Sequence, residues 1–478
     1  MGKIILRLDR VMADRGPSYE NLPIGTSINM GFAQANDYVN DILKTTRTDV
    51  KYEFAPNWKF HWSLSHRVAD QNFDHFYLGS LCKRDEPIQG RNGCYKGYIK
   101  QSYYWQQTSN KTTANTFDIT GKFYTQAIRH NLLIGLDWSY EQREPKLSNK
   151  NTDGSPIYGF VHPLTGQRFS NRGTGHVITT HNYNEGTNYG LFLQDLMSFN
   201  DQYKLMLGLR YDSYSAKTTN RLESSTLYSQ STKVKDQSIS PNIGLIWQPI
   251  ESQNIYASYS KSFVPFGGNM GVNAVSANED LEAFNKQPQY LDQYEIGVKS
   301  EWLDSKLTTQ LSAYNINKHN IRGHENPDDN TSPMIIIGEH QSKGIEFSFL
   351  GQVLNNVYIR GGYGYTDAKI LKNHRDSSLE GNRLRNVAKN TGNLFVRYLP
   401  HERVYAEIGT TYMGSFYTSD QNLIKMPNWT RLDAAIGYKD PQWGATFAIT
   451  NVANKKYWRS SSMPGTPRNY LFRVNYFF

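Results

Sequence analysis

The sequence lacks a long apolar run and a block of basic residues. None of its hydrophobic stretches approaches the ~20 residues that a membrane-spanning helix requires, which excludes a helical membrane protein. The net charge of +9 is spread along the chain, so no nucleic-acid partner is expected. The opening segment Met1–Asp9 is interrupted by Arg7 and is not a secretory signal peptide. If the protein lies outside the cytoplasm, its export signal is missing from this chain.

The sequence also offers no catalytic or metal-binding constellation. No G-x-S-x-G motif occurs, and the acidic residues are scattered over polar stretches. The 12 histidines show no close pairing of the kind that binds a metal, and His61 and His66 would face opposite sides of one strand. We therefore expect no enzyme activity, no catalytic residue, no metal ligand and no cofactor.

Cysteine is scarce, with Cys82 and Cys94 close together in one polar stretch. Neither a C-x-x-C motif nor a histidine cluster accompanies them, so a zinc site is disfavoured. A disulfide that closes a short exposed loop is the preferred interpretation, and it implies an oxidising compartment. Two unrelated thiols remain the alternative.

Strong alternation is present instead, and it is clearest in the last nine residues, Tyr470–Phe478. Every second side chain is aromatic or apolar, whereas Arg473 and Asn475 point the other way. A strand in a soluble core could carry this pattern. The aromatic residues at both ends of this strand favour a membrane strand, because in membrane β-barrels aromatic side chains lie at the two membrane–water interfaces.

The same unit recurs along the chain, and we count eighteen strands. Gly97–Tyr124 is treated as one tall strand, because short and long connections then alternate strictly. The sequence predicts an all-β fold, a transmembrane antiparallel β-barrel of the outer membrane, with every long loop on the cell exterior. The longest of these loops are Ala13–Thr46, Ala69–Lys96, Arg143–Gly186 and Val264–Leu291.

Several strands resemble those of one family, the TonB-dependent siderophore receptors. The resembling segments, in family order, are Ile255–Pro265 (IYASYSKSFVP), Gln293–Lys299 (QYEIGVK), Ser342–Phe347 (SKGIEF), Gly362–Ala368 (GYGYTDA) and Thr450–Tyr457 (TNVANKKY). The terminal Phe478 is similar to the family's signal for the barrel assembly machinery. The resemblance covers essentially the whole chain.

The resemblance implies a receptor that transports ferric siderophores, with the hydroxamate type favoured. Its ligand would be a pre-formed iron(III)–siderophore complex, so the protein itself would need no metal ligands. Its partners would be the siderophore, outer-membrane lipid and lipopolysaccharide, the barrel assembly machinery and, for a complete receptor, the TonB energising complex.

The likeness is strongest to ferrichrome-type receptors. The segment Cys82–Cys94 resembles a disulfide-bridged external loop preceded by ligand-facing tyrosines. Tyr77 matches one of these, while Gly79 stands where another would be. In the first long loop Tyr19 matches a ligand-contacting tyrosine, but Asn21 replaces a tryptophan. These departures argue against ferrichrome itself.

Tyr183, just before a strand, is a third candidate ligand contact. With 33 tyrosines in the chain, an ordinary loop or interface tyrosine is the alternative at each position. Two other functions are also considered. A passive porin-like channel would have smaller connections, and an outer-membrane enzyme would need a catalytic dyad that is not found.

The resemblance also implies parts that this sequence lacks. Receptors of the family have barrels of about 22 strands around a plugged lumen, and nothing here resembles a plug domain or a TonB box. The single domain, residues 1–478, would be the C-terminal part of a receptor and unable to couple to TonB. The first strand, Lys3–Met12, would lack its usual neighbour, so we expect an open, gapped sheet rather than a smaller closed barrel.

Overall fold

A computed structural model describes residues 2–11, 22–23, 25–27, 30–89, 92–264, 288–326 and 334–476. Within these ranges nearly all regular structure is β-strand, apart from a short 3-10 helix at Ser377–Leu379. No described helix is long and apolar enough to cross a membrane.

Eighteen of the described strands follow one another as antiparallel neighbours in a single sheet. They are β1 (Gly2–Val11), β2 (Tyr38–Ala55), β3 (Trp58–Leu81), β6 (Ile99–Thr125), β7 (Ile128–Ser148), β12 (Thr180–Ser198), β13 (Tyr203–Asn220), β14 (Ser231–Ile250), β15 (Gln253–Val264), β16 (Gln289–Trp302), β17 (Leu307–His324), β18 (Met334–Leu354), β19 (Val357–Asn373), β20 (Asn390–His401), β21 (Val404–Met413), β24 (Trp429–Lys439), β25 (Trp443–Thr450) and β28 (Asn469–Tyr476). The strand count and the single tall strand β6 confirm the sequence prediction.

The other described strands are short and belong to the long connections. They are β4 (Glu86–Gln89), β5 (Asn92–Cys94), β8 (Lys150–Asn151), β9 (Tyr158–Val161), β10 (Arg168–Ser170), β11 (His176–Val177), β22 (Phe416–Tyr417), β23 (Lys425–Met426), β26 (Trp458–Ser460) and β27 (Met463–Pro464). Two of them, β9 and β10, extend the main sheet, because β9 pairs with the upper end of β6. Short and long connections alternate as the sequence predicts.

The predicted boundaries of the long loops are wrong at several strands. β3 continues to Leu81, so most of the expected loop Ala69–Lys96 is strand or disulfide-bridged turn. β2 already begins at Tyr38, and β12 begins at Thr180, well inside the loops expected there. Beyond the lipid neither face of a strand has to be uniformly apolar, so the alternation of polar and apolar residues disappears although the backbone ladder continues. Most of the loop Val264–Leu291 lies outside the described residues.

Alternation sorts the sheet into an apolar and a polar face. One row of side chains runs across seven neighbouring strands, directly opposite one another: Val50, Trp62, Phe117, Leu136, Leu191, Tyr211 and Ile239. All but Trp62 are classed as exposed. We call this the outer face, and it is the face that the sequence assigns to lipid.

Near the level of this apolar row, ion pairs lie on the opposite, inner face. The Arg210 guanidinium lies 2.6 Å from carboxylate oxygens of both Asp137 and Asp212. Lower in the barrel, Arg397 pairs with Glu407 at 2.9 Å. Charged side chains on this face suit a water-filled lumen.

The first and last strands stand at the two ends of the sheet. β1 pairs with β2, and β28 pairs with β25. Among the described residues no ladder joins β1 to β28, so the sheet is open, as the sequence predicts, and has not closed as a smaller barrel. The terminal Phe478 lies outside the described residues.

The connection after β3 is closed by a disulfide between Cys82 and Cys94. The Cys82 sulfur is buried, and its backbone N–H donates to the Tyr98 carbonyl at 2.8 Å. The N–H of Gly97 donates back to the Cys82 carbonyl at 2.9 Å. Bridge and hydrogen bonds together fix the segment that leads into β6.

We predict that the long connections face the cell exterior. In a chain expressed with an export signal, Ser377→Cys lies in a long connection and Ser305→Cys in a short turn, and both positions are exposed. A membrane-impermeant maleimide should label the first variant on intact cells and the second only after the outer membrane is permeabilised. Labelling of Ser305→Cys on intact cells would reverse the topology.

We also predict that Cys82 and Cys94 are bonded in the mature protein. Mass spectrometry of a non-reduced digest should recover one peptide pair that contains both residues. The bridge should stabilise the connection by about 2–3 kcal/mol, because it restricts the unfolded chain. Two separate peptides with free thiols would contradict the pairing.

Candidate functional site

Tyr77 lies on strand β3 and not in a loop, which corrects the sequence-based boundary. β3 and β6 pair without a register shift from Trp58 to Leu78. Odd-numbered residues of β3 therefore share one face along this whole length, opposite to the face of Trp62. Tyr77 consequently lies on the inner face, at the end of the barrel that carries the long connections.

Three further rings lie near Tyr77 on this face, and of these His75 is buried. The ring of His75 lies 4.2 Å from that of Tyr77, between centroids, and 5.5 Å from that of Phe73. Across the ladder, Tyr104 of β6 is the direct partner of His75, and its ring lies 5.7 Å from that of Tyr77. Phe73, His75, Tyr77 and Tyr104 form the lower part of what we call the aromatic wall.

Polar side chains lie directly below these rings. The Tyr104 hydroxyl donates to Oε1 of Gln106 at 2.8 Å, and Nε2 of Gln106 donates to the Thr108 hydroxyl at 2.6 Å. The same Gln106 amide reaches Oε1 of Gln71 at 3.5 Å. The wall thus has an apolar surface edged by amide and hydroxyl groups, a combination typical of small-molecule sites.

The upper part of the wall comes from the long connections. In β9, Tyr158 and Phe160 lie opposite Ser102 and Lys100 of β6, and so on the same inner face as Tyr104. Phe169 of β10 packs on Phe160 with centroids 5.3 Å apart; Phe160 is fully buried there, whereas Phe169 is exposed. Two tyrosines that flank the disulfide-bridged connection complete this part, since Tyr95 lies 4.9 Å from Phe160 and Tyr98 lies 5.5 Å from Phe169.

An ion-pair network on the opposite face holds these segments to the sheet. Nη1 of Arg172 lies 2.9 Å from the Asp37 carboxylate and 2.8 Å from that of Asp74 on β3. Burial raises the pKa of the Asp37 carboxyl, while the N–H groups of Gln34 and Phe76 and the Arg172 guanidinium oppose that shift. One arginine thereby joins the first and third long connections to β3.

Packing and amide hydrogen bonds reinforce this attachment. Phe32, Ile99 and Val161 form a buried apolar cluster behind the wall. Nε2 of Gln34 donates to Oε1 of Gln101 at 2.5 Å, and Nε2 of Gln101 donates to the Phe32 carbonyl at 2.7 Å. The upper wall is therefore a supported surface and not a free loop.

Two of the three tyrosines that the sequence singles out, Tyr77 and Tyr183, lie on opposite faces of the sheet. Tyr77 belongs to the aromatic wall. Tyr183 lies within β12 and shares the parity of Leu191, so it lies on the outer face. Its hydroxyl accepts a hydrogen bond from the Gln142 side-chain amide at 2.6 Å, and the Arg221 guanidinium lies 3.8 Å from the centre of its ring. Tyr19 lies outside the described residues.

Sequence reasoning missed most of the wall. Tyr104 could have been found from its place on the long strand β6, where it pairs with His75, once the register was known. Phe160 and Phe169 carry no local signal, because a long-range pairing of β9 with β6 brings them to the wall. Among the described residues no group of three or more His, Cys, Asp or Glu side chains could hold a metal ion.

Comparison with known proteins identifies the family. The family model described as TonB dependent receptor-like, beta-barrel matches residues 8–452. The metal-pseudopaline receptor CntO of Pseudomonas aeruginosa strain UCBPP-PA14 is 27% identical over 430 residues, which are 85% of this chain and 56% of that protein. The ferrioxamine receptor of Yersinia enterocolitica is 22% identical over 449 residues, 91% of this chain and 58% of that protein. The chain thus spans less than two thirds of the length of these relatives.

Solved structures agree on the fold. The siderophore receptor PiuA of Acinetobacter baumannii superposes with a TM-score of 0.83 at 18% identity, over 99% of this chain and 71% of that one. The ferric-catecholate import receptor Fiu of Escherichia coli, in its closed form, gives 0.82 at 17% identity, over 100% and 72%. At these identities the likeness concerns the fold alone. The chain is an outer-membrane β-barrel, and it belongs to the TonB-dependent receptor family.

Proposed function

We propose that this chain supplies the ligand-binding barrel wall of a receptor for ferric siderophores. The aromatic wall is the observation that carries the proposal, because it lines the inner face at the mouth of a family barrel. A siderophore encloses its iron in an organic shell, and aromatic faces bind such shells through buried area. The names of the similar proteins, several of them siderophore receptors, support the same conclusion.

We favour hydroxamate siderophores as the substrate class. Ferric hydroxamates carry little net charge, and the lower wall is built from Phe73, His75, Tyr77 and Tyr104, which carry no permanent charge. A strongly anionic ferric catecholate would gain more from fixed cations than from these rings. Tyr19 is retained as a further proposed contact.

Energised transport is proposed for the longer polypeptide, with the TonB complex as its partner. This chain spans little more than half the length of its relatives, so binding and not uptake is the activity to measure on it. A passive porin-like channel is disfavoured, since a porin has no use for a supported aromatic surface at its mouth.

Replacement of wall tyrosines should weaken ligand binding. Tyr77→Ala and Tyr104→Ala should each cost about 1–3 kcal/mol of binding free energy for a ferric hydroxamate, through lost aromatic burial. Titration of the purified chain in detergent, followed by intrinsic fluorescence, measures the affinity.

Tyr183→Ala is the matched control, since it removes the same side chain from the outer face. Its affinity should equal that of the unmodified chain. A ferric hydroxamate, a ferric catecholate and a metal–pseudopaline complex should be titrated in parallel. Unchanged affinity of both wall variants for every ligand would contradict the proposed site, and preferential binding of the catecholate would contradict the substrate class.

A further inference from the structure

An arginine lies on the inner face just below the aromatic wall. Arg143 of β7 pairs with Asn110 of β6 in a ladder without a register shift, so it shares the inner face with Asp137. One inner-face step higher on β6 lies Thr108, the lowest of the polar side chains beneath Tyr104. The lower edge of the wall therefore carries a permanent positive charge.

No ion pair engages the Arg143 guanidinium within the part of the chain that the structure describes. Glu144, the next residue, points to the outer face, where it pairs with Arg221 at 3.1 Å. Glu141 lies two residues away on the inner face, and the positive charge of Arg67 on β3 acts on its carboxylate. These acids therefore do not neutralise the charge of Arg143.

Two further observations connect Arg143 with ligand binding. Across the ladder, Oδ1 of Asn110 is buried without a hydrogen-bond partner among the described residues, so this part of the inner face has polar capacity that they leave unused. The charge of Arg143 also reaches the wall. Burial and the neighbouring Tyr77 raise the pKa of the Tyr104 hydroxyl, and the Arg143 guanidinium opposes that shift. A ligand that contacts Tyr104 lies within the field of this arginine.

We propose that Arg143 is a specificity-determining residue that binds a carboxylate on an arm of the ligand. The inference rests on the proposed function and narrows its substrate class to ferric hydroxamates that carry a free carboxylate. A guanidinium holds a carboxylate through two parallel hydrogen bonds. One unpaired cation matches one acidic arm, whereas a ferric catecholate carries its negative charge around the iron itself. The iron core would lie against the rings, and the acidic arm would extend down the inner face.

A ligand series that differs in charge alone tests this role. A ferric trihydroxamate with one pendant amine is used unmodified, after acetylation and after succinylation, so that the arm carries a cation, no charge or an anion. In the fluorescence titration, the unmodified chain should bind the succinylated form about tenfold more tightly than the acetylated form. Arg143→Gln should abolish this difference. Arg143→Lys should keep part of it, because the charge remains and the paired hydrogen bonds do not.

Lys111→Gln is the matched control. Lys111 is exposed on the outer face of β6, next to Asn110, so its loss removes a positive charge at the same height and should leave the preference for the acidic form intact. The heat-dependent shift in electrophoretic mobility verifies that each variant is folded.

The outcomes separate this inference from the proposed function. Equal affinity of the unmodified chain for all three forms would overturn the role of Arg143 and leave the siderophore site standing. A preference for the acidic form that persists in Arg143→Gln would overturn the assignment to this residue. Absence of binding for every form would overturn the proposed function itself, and this inference with it.

Discussion

Inside a bilayer every backbone N–H and C=O group must find its partner within the protein, and most of this structure follows from that requirement. The ladder that satisfies these groups runs through eighteen consecutive strands of the described chain. Its register then decides which face each side chain occupies, because a slip of one residue would exchange the two faces. Tyr77 is a proposed ligand contact and Tyr183 is not, because the register places Tyr77 on the inner face and Tyr183 on the outer face.

Beyond the membrane-spanning part of the strands, toward the long connections, the ladder continues. Water could satisfy the backbone groups there, so the ladder is no longer required. β3 and β6 extend beyond the membrane and present Tyr77 and Tyr104 at the mouth of the barrel. The long connections pack onto these extensions through Arg172 and through the buried cluster around Ile99. A binding surface formed in this way combines the rigidity of a sheet with the sequence freedom of loops.

The sequence determines those features that depend on short-range patterning. Alternation identifies the strands that cross lipid, and the strict order of short and long connections identifies the two ends of the barrel. Alternation fails for the upper half of β3, because its outer face there is covered by the long connections instead of lipid and carries both Asp74 and Phe76. The predicted strand therefore ended at Val68 rather than Leu81. The family resemblance led to Tyr77, but its neighbours in the wall could not be predicted. Tyr104 depends on the pairing register, and Phe160 depends on a contact between distant segments.

The continuity of the register from the membrane to the mouth is the central claim, and spin labels on consecutive residues of β3 test it most directly. In the membrane-spanning part of β3, spin labels at Phe60, Trp62 and Leu64 should collide with dissolved oxygen. Labels at the odd-numbered positions between them should collide with a polar nickel complex. We expect one uninterrupted period of two along β3, with position 77 in phase with position 61. A change of phase between these positions would place Tyr77 on the outer face and would contradict the proposed site.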